Sequence, residues 1–299
     1  MTFRISSTQI VDGSLIGISA AYSRFTDAQE KINSGKQLNK PSDNPSGLAQ
    51  SLDFTEQLSE LGQFGKTLDQ ARGFIATSES SLDSVNSLLR QARTFAVQGA
   101  STSTNDTARQ AIAGQIQDII NQLGSLGNAS YGSRYVFGGQ RTTTPPLVAN
   151  GTGFNYTGGT TATGDADLNL DIGRGETLTT NVTGDRVFTP AIAALAKLRD
   201  DVANGQDLTV SQQDITAVDD QLNTVVGIRA DLGSKINRID STKQRNELIK
   251  VNFTKLVSDI QDTDIPKAVI ELQTSQTAYQ AALQSTVRAF QTSLLDFLK

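Results

Sequence analysis

Histidine, cysteine and tryptophan are all missing from the 299 residues. With no imidazole to polarise a serine and no thiolate, nucleophilic triads, disulfides and most zinc, copper and haem ligation are excluded. The lack of cysteine fits either side of a membrane and leaves the compartment open. Aromatic residues make up only 6% of the chain, so any core has to be built from Leu, Ile, Val and Ala. Basic residues are outnumbered by acidic ones, 26 to 31, and Lys40, Arg134 and Arg141 stand apart from other cations. No basic patch for nucleic acid is formed. No apolar run approaches the roughly 18 residues of a membrane span, and residues 1–10 lack a basic region leading into an apolar one. The expectation is therefore no membrane insertion and no cleaved signal peptide. No glycine-rich loop precedes a lysine that could hold phosphates, and no cofactor is expected. Asp165, Asp167 and Asp171 lack the glycine and terminal glutamate spacing of a calcium loop and read as solvated turns.

What the chain has is helical period. In residues 264–299, Ile265, Val269, Leu272, Gln276, Tyr279, Leu283, Val287, Phe290, Leu294 and Phe297 recur at spacings of 3 and 4, the mark of a long helix with one seam. Val11, Leu15, Ile18, Tyr22, Phe25, Gln29 and Ile32 answer with the same alternation at the other end. A coiled coil made from the two termini accommodates both. Between Ala268 and Leu295 only Glu271 and Arg288 are charged. Short uncharged polar residues on the other faces suit packing against further copies, so the termini are read as an assembly element.

Inward from the first helix, which stops at Gly35, lies Lys40-Pro41-Ser42-Asp43-Asn44-Pro45. Each proline pushes its predecessor out of helical geometry, giving a rigid turn-bearing connector in which Asn44 caps and Pro45 opens the next helix. That helix keeps its seam from Phe54 to Ala96. A third, from Thr104 or Asn105 to Asn128, carries a stripe of Ala108, Ile112, Gln115, Ile119 and Leu126 and is expected beside the second. Tyr135-Val136-Phe137 reads as a short strand. Residues 139–186 lose helical period, and Val148, Phe154 to Tyr156, Leu168 to Ile172 and Leu178 to Val182 are strand candidates between glycine turns. Helix resumes at Thr189-Pro190 and again at Ser211 with Asp214, whose seam runs from Val218 to Ile260. The fold class is mainly α with a small β insertion, in an elongated, nested subunit. Its expected parts are a terminal coiled-coil assembly domain (1–40 and 264–299), an α-helical rod (41–138 and 187–263) and a distal β domain (139–186).

Several ordered blocks then carry a family resemblance: Arg4-Ile5-Ser6, the run from Ile32 to Pro45, Tyr135-Val136-Phe137-Gly138-Gly139, and the tail from Phe290 to Leu298. Together they resemble the hook-associated protein 3 family, the hook–filament junction branch of the flagellin-like proteins. The resemblance covers roughly 1–140 and 187–299 and leaves out the Gly/Thr-rich middle. It implies a structural, non-catalytic subunit outside the bacterial cell, exported without a cleaved signal by the flagellar type III apparatus and its chaperone. It implies as partners hook-associated protein 1, flagellin and copies of itself in a closed ring of about eleven. The same nested layout fits a flagellin, a filament homopolymer. The double-proline connector, Pro41 and Pro45 within the run Pro41, Asp43, Asn44 and Pro45, and the aromatic tail from Phe290 to Leu298 favour the junction branch. The remote alternative is a carboxylate glycan hydrolase using Asp165, Asp167, Asp171 or Glu176.

Overall fold

Apolar residues at alternating spacings of 3 and 4 require long helices, and the computed structural model is mainly helical with a small β region. It describes the backbone of residues 7–100, 105–205 and 208–297, and side chains within 12–100, 105–205 and 212–288. In chain order the elements are α1 (Ser7–Ser34), α2 (Pro45–Gly99), α3 (Asp106–Gly127), β1 (Ser130–Tyr131), β2 (Arg134–Tyr135), β3 (Leu147–Asn150) and β4 (Gly153–Tyr156). They continue with β5 (Asn169–Gly173), β6 (Glu176–Thr179), α4 (Gly184–Asn204), α5 (Leu208–Gln261) and α6 (Ile265–Phe297). The chain divides into two units, one holding residues 1–60 and 249–299, the other residues 61–248.

The second unit holds the apolar core. On α2, Leu68, Ala71, Ile75, Leu82, Val85, Leu89 and Ala92 are fully buried, on the track that the sequence period marks. Val218, Val225, Leu232 and Ile239 of α5 join the same core. The antiparallel register of α2 and α5 shows in ion pairs along their flanks: Lys243 Nζ to Asp69 at 2.6 Å, Arg72 Nε to Asp240 at 3.0 Å and Arg93 Nε to Asp219 at 2.6 Å. Arg229 of the α5 seam is not idle there, because its guanidinium reaches Glu79 at 2.6 Å and Asp83 at 2.9 Å.

The backbone of α3 approaches α4 most closely, and its apolar residues share one core cluster with those of α2. Its buried face is Ala113, Ile116, Ile119, Ile120 and Leu123, rotated from the expected stripe, of which Ala108 and Gln115 are exposed. The four branched residues Ile116, Ile119, Ile120 and Leu123 outweigh the weaker Ala/Gln track in deciding which face turns inward. Asn105 caps α3 as expected, its Oδ1 accepting the Ala108 N–H at 2.8 Å.

Three two-stranded antiparallel hairpins, β1–β2, β3–β4 and β5–β6, make up the β region. The β3–β4 hairpin lies so close on α3 that a Cβ at Gly124 would fall 2.1 Å from the Phe154 ring, and one at Gly127 equally close to Leu147. Only glycine allows that approach. Val136 and Phe137 are not strand; the backbone turns there and both side chains are fully buried. The last candidate strand ends at Thr179, after which Thr180 to Val182 turn inward.

Helix α4 begins at Gly184, before the expected Thr189-Pro190, and Pro190 lies inside it. Val187 and Phe188 explain the difference. Both are buried in the turn before the proline, and Phe188 meets Phe137 edge-on at 4.9 Å. Fully burying such side chains contributes about 1.5–3 kcal/mol each, which offsets the lost backbone bond at Pro190. Likewise α5 is already helical at Leu208, so Ser211 is no cap; Asp214 is instead buried and paired with Lys197.

The first unit contains α1, α6, the first turns of α2 and the last turns of α5. Phe54 stacks on Phe253 at 5.6 Å, and Gln261 Nε2 donates to Ser51 Oγ at 2.8 Å. Gly35, at φ +68, ends α1 in the left-handed region. Its carbonyl accepts the Thr263 N–H at 2.9 Å, and Gln37 N–H donates to Gln261 O at 2.7 Å. These bonds hold the end of α1 against the break between α5 and α6.

Candidate assembly surface

Helices α1 and α6 lie antiparallel. Lys31 meets Glu271 at 3.5 Å, while Tyr279 lies 5.5 Å from the Tyr22 ring and stacks on Phe25 at 6.2 Å. Two adjacent tracks could face the partner on each helix. The structure closes on the one with small members: Ser14, Ile18, Ala21, Phe25, Ala28 and Ile32 on α1 against Ala268, Leu272, Ser275, Tyr279, Ala282 and Thr286 on α6, all partly or fully buried. Alanine and serine at every second contact let the axes approach, which larger side chains would prevent.

Of the seam residues read from the sequence, Ile18, Phe25, Leu272 and Tyr279 lie in this contact. Leu15, Tyr22, Ile265, Val269, Leu283 and Val287 lie on its flank, where they are between 38% and 56% exposed. The side chains of Val11, Phe290, Leu294 and Phe297 lie outside the described residues. The pair therefore buries one track and leaves a second, more apolar one open to solvent. Exposed apolar rows of this kind are candidates for contact with a partner.

The connector is built by Asp43. Its Oδ2 accepts the N–H groups of Lys40 at 2.9 Å and Asn39 at 3.2 Å, and its own N–H closes a turn onto the Lys40 carbonyl. The Lys40 N–H is the chief reason that the Asp43 carboxyl sits below the usual range. Pro41 lies within this turn. Pro45 is the first residue of α2, and Asn44 Oδ1 caps that helix by accepting the Gly47 N–H at 2.9 Å. Lys40, which looks isolated in the sequence, reaches Glu30 at 2.8 Å and Asp27 at 3.3 Å on α1. Those two bonds, Glu30 first, raise its ammonium above the ordinary lysine value. The spacing of Asp27 and Glu30, one turn apart on α1, was the signal available for that contact. Asp264, missed as well, caps α6 by accepting the Lys267 N–H at 3.2 Å.

In the β region two of the four carboxylates, Asp165 and Glu176, are tied up by cations. Asp165 is engaged by Arg141 at 2.6 Å, by the Thr160 N–H at 3.0 Å and by the Thr163 hydroxyl. Glu176 is held by Arg238 at 2.9 Å and Arg245 at 3.0 Å.

Such a fold, predominantly helical with the two ends of the chain paired and a small β region between long helices, is that of the flagellar axial subunits. Residues 14–142 match the bacterial flagellin N-terminal helical region and residues 215–298 the bacterial flagellin C-terminal helical region. The flagellar hook-associated protein 3 of Escherichia coli is 25% identical, over 94% of this chain and 95% of that protein. The flagellin of Bacillus subtilis is 26% identical, over 88% of each. A putative flagellar hook-associated protein from Vibrio parahaemolyticus shares the fold with a TM-score of 0.66 and 19% identity, over 74% of this chain and the whole of the other. The chain belongs to the flagellin and hook-associated protein family, and it is a structural, non-catalytic subunit of the flagellum. No described helix is long and apolar enough to cross a membrane.

Proposed function

We propose that this chain is a hook–filament junction subunit, standing outside the cell between hook-associated protein 1 and the first flagellin subunits. The observation that carries the reading is the end-to-end match to a hook-associated protein 3, 94% of this chain and 95% of the relative, against 88% of each for a flagellin of similar identity. The double-proline connector, Pro41 and Pro45, adds to it. In this reading residues 1–40 and 264–299 form the assembly layer, residues 41–138 and 187–263 the rod, and residues 139–186 the outer domain. The exposed row of Leu15, Tyr22, Ile265, Val269, Leu283 and Val287 is covered by neighbouring subunits.

A junction subunit presents unlike surfaces to the structures on its two sides, whereas a flagellin has to add to itself without limit. Electron microscopy of the concentrated purified protein separates the two. Small oligomers or short rings are expected. Long filaments of this chain alone would exclude the junction role and make it a flagellin. In a strain lacking the protein, flagellin should be shed into the medium rather than retained on the hook.

A further inference from the structure

The contact between α4 and α5 contains a charge imbalance that the packing does not relieve. Asp214, on the early turns of α5, is only 3% exposed, and its Oδ1 lies 2.5 Å from Lys197 Nζ on α4. The same ammonium reaches Asp201 Oδ2 at 2.6 Å, one turn further along α4. Asp214 Oδ2 is buried with no hydrogen-bond partner among the described residues. One cation thus serves two carboxylates, and an acceptor is left bare in a place where desolvation is costly. The surrounding cations are engaged elsewhere: Arg93 of α2 with Asp219, Arg199 with Asp200 and with Gln117 of α3, and Arg109 of α3 with Asp106.

We infer that the buried Asp214 carboxyl takes up a proton when the chain folds, so that the α4–α5 contact grips harder as the medium turns acid. A proton on Asp214 relieves the bare Oδ2 of its buried charge and leaves Lys197 with one carboxylate fewer to serve. The direction of the Asp214 equilibrium agrees. Burial is the largest cause raising its carboxyl above the usual range; Lys197 opposes this and Asp201 adds to it. Because the folded value exceeds the unfolded one, the stabilisation grows as pH falls through the folded value and levels off at the unfolded one.

Asp214→Asn tests this, since an amide imitates the protonated acid by keeping an acceptor for Lys197 and supplying a donor to Asp201. The variant should have a higher Tm than the wild type at about pH 8, with the gap narrowing as the pH is lowered. If the pair were an ordinary ion pair instead, the variant would be the less stable at about pH 8, and that result overturns the inference. Should the variant fail to fold, carboxyl carbon NMR titration of the wild-type chain decides the matter. Asp214 titrating well above the exposed aspartates supports the proton on Asp214, and Asp214 titrating among them rules it out.

Discussion

Tyr156 ties the β region to the helical core through one atom. Its hydroxyl stands 2.9 Å from the carbonyls of both Phe137 and Gly159, and burial first, then Asp185, pushes its ionisation up to about 12. An acid with a folded value above the unfolded value of about 10 keeps its proton in the native chain after the unfolded chain has lost it. Its contribution is therefore full below about pH 10 and drains away between about pH 10 and 12. Alkaline titration followed by tyrosinate absorbance should show one tyrosine ionising together with unfolding. Tyr156→Phe should remove that coupled step and cost about 1 kcal/mol at neutral pH. A Tyr156 that ionises with the exposed tyrosines while the chain stays folded would contradict the account. Asn86 is the opposite case, a polar side chain that weakens its surroundings. It is 4% exposed in the α2 core, its Oδ1 accepts from the exposed Arg90, and its Nδ2 has no partner among the described residues. Asn86→Leu should raise stability by about 1 kcal/mol, read as a higher denaturant midpoint at constant m-value. A lower midpoint would show that the amide fixes the packing of the pair at a net gain.

Among the elements, α2 and α5 carry the clearest reading from sequence to structure. Large apolar residues occupy one track of α2 almost without interruption, so period alone identifies the buried face. On α5 the polar members of the track, Arg229 and Lys243, are where the register of the pair is marked, because each meets acids of α2. Exposed ion pairs are worth about 0–1 kcal/mol, so Lys243→Ala should change stability little. Arg229 is only 29% exposed and serves two carboxylates. Arg229→Ala should cost more, about 1–2 kcal/mol, and a double-mutant cycle with Glu79→Ala should show coupling; an additive cycle would remove Arg229 from this role. The terminal helices were harder to read, since neighbouring tracks on α1 and α6 share Ile18, Phe25, Leu272 and Tyr279 and differ in size rather than in period. The choice between them depends on how closely two axes can approach, which no single helix reveals. The starts of α4 and α5 were hidden for a related reason. Pro190 and Ser211 are strong local signals, and the burial of Val187, Phe188 and Asp214 outweighs them only once the whole core is assembled. The connector was legible because Pro41, Asp43, Asn44 and Pro45 act on their own backbone, whereas the reach of Lys40 to α1 depends on the folded arrangement.

Across the whole molecule, burial is very unevenly divided. Every member of the apolar core cluster lies between Leu68 and Ile239, in the second unit. In the first unit, the buried apolar side chains among the described residues are Ala28, Leu38 and Ala268. Opening the α1–α6 pair therefore exposes little apolar surface that water does not already reach, and its local stability in an isolated chain has to be low. Covering the flank changes that balance, since each fully buried Leu, Ile or Val contributes about 1.5–3 kcal/mol, and several are available in one row. Hydrogen exchange on the purified monomer should show amides of 12–34 and 265–288 exchanging through local opening, with those of 68–96 and 218–239 protected close to the global limit. Upon assembly the terminal amides should gain protection. Val269→Asp and Val287→Asp separate folding from assembly, because both positions are exposed in the single chain at 47% and 56%. Each should leave the Tm of the monomer within a degree or two, on the scale of about 0.5 kcal/mol for surface changes, while blocking formation of rings or of mixed assemblies with flagellar partners. Two results would sink the proposal that this row is an assembly surface: terminal helices as protected in the monomer as the core of α2, or assembly that proceeds unchanged with an aspartate at both positions.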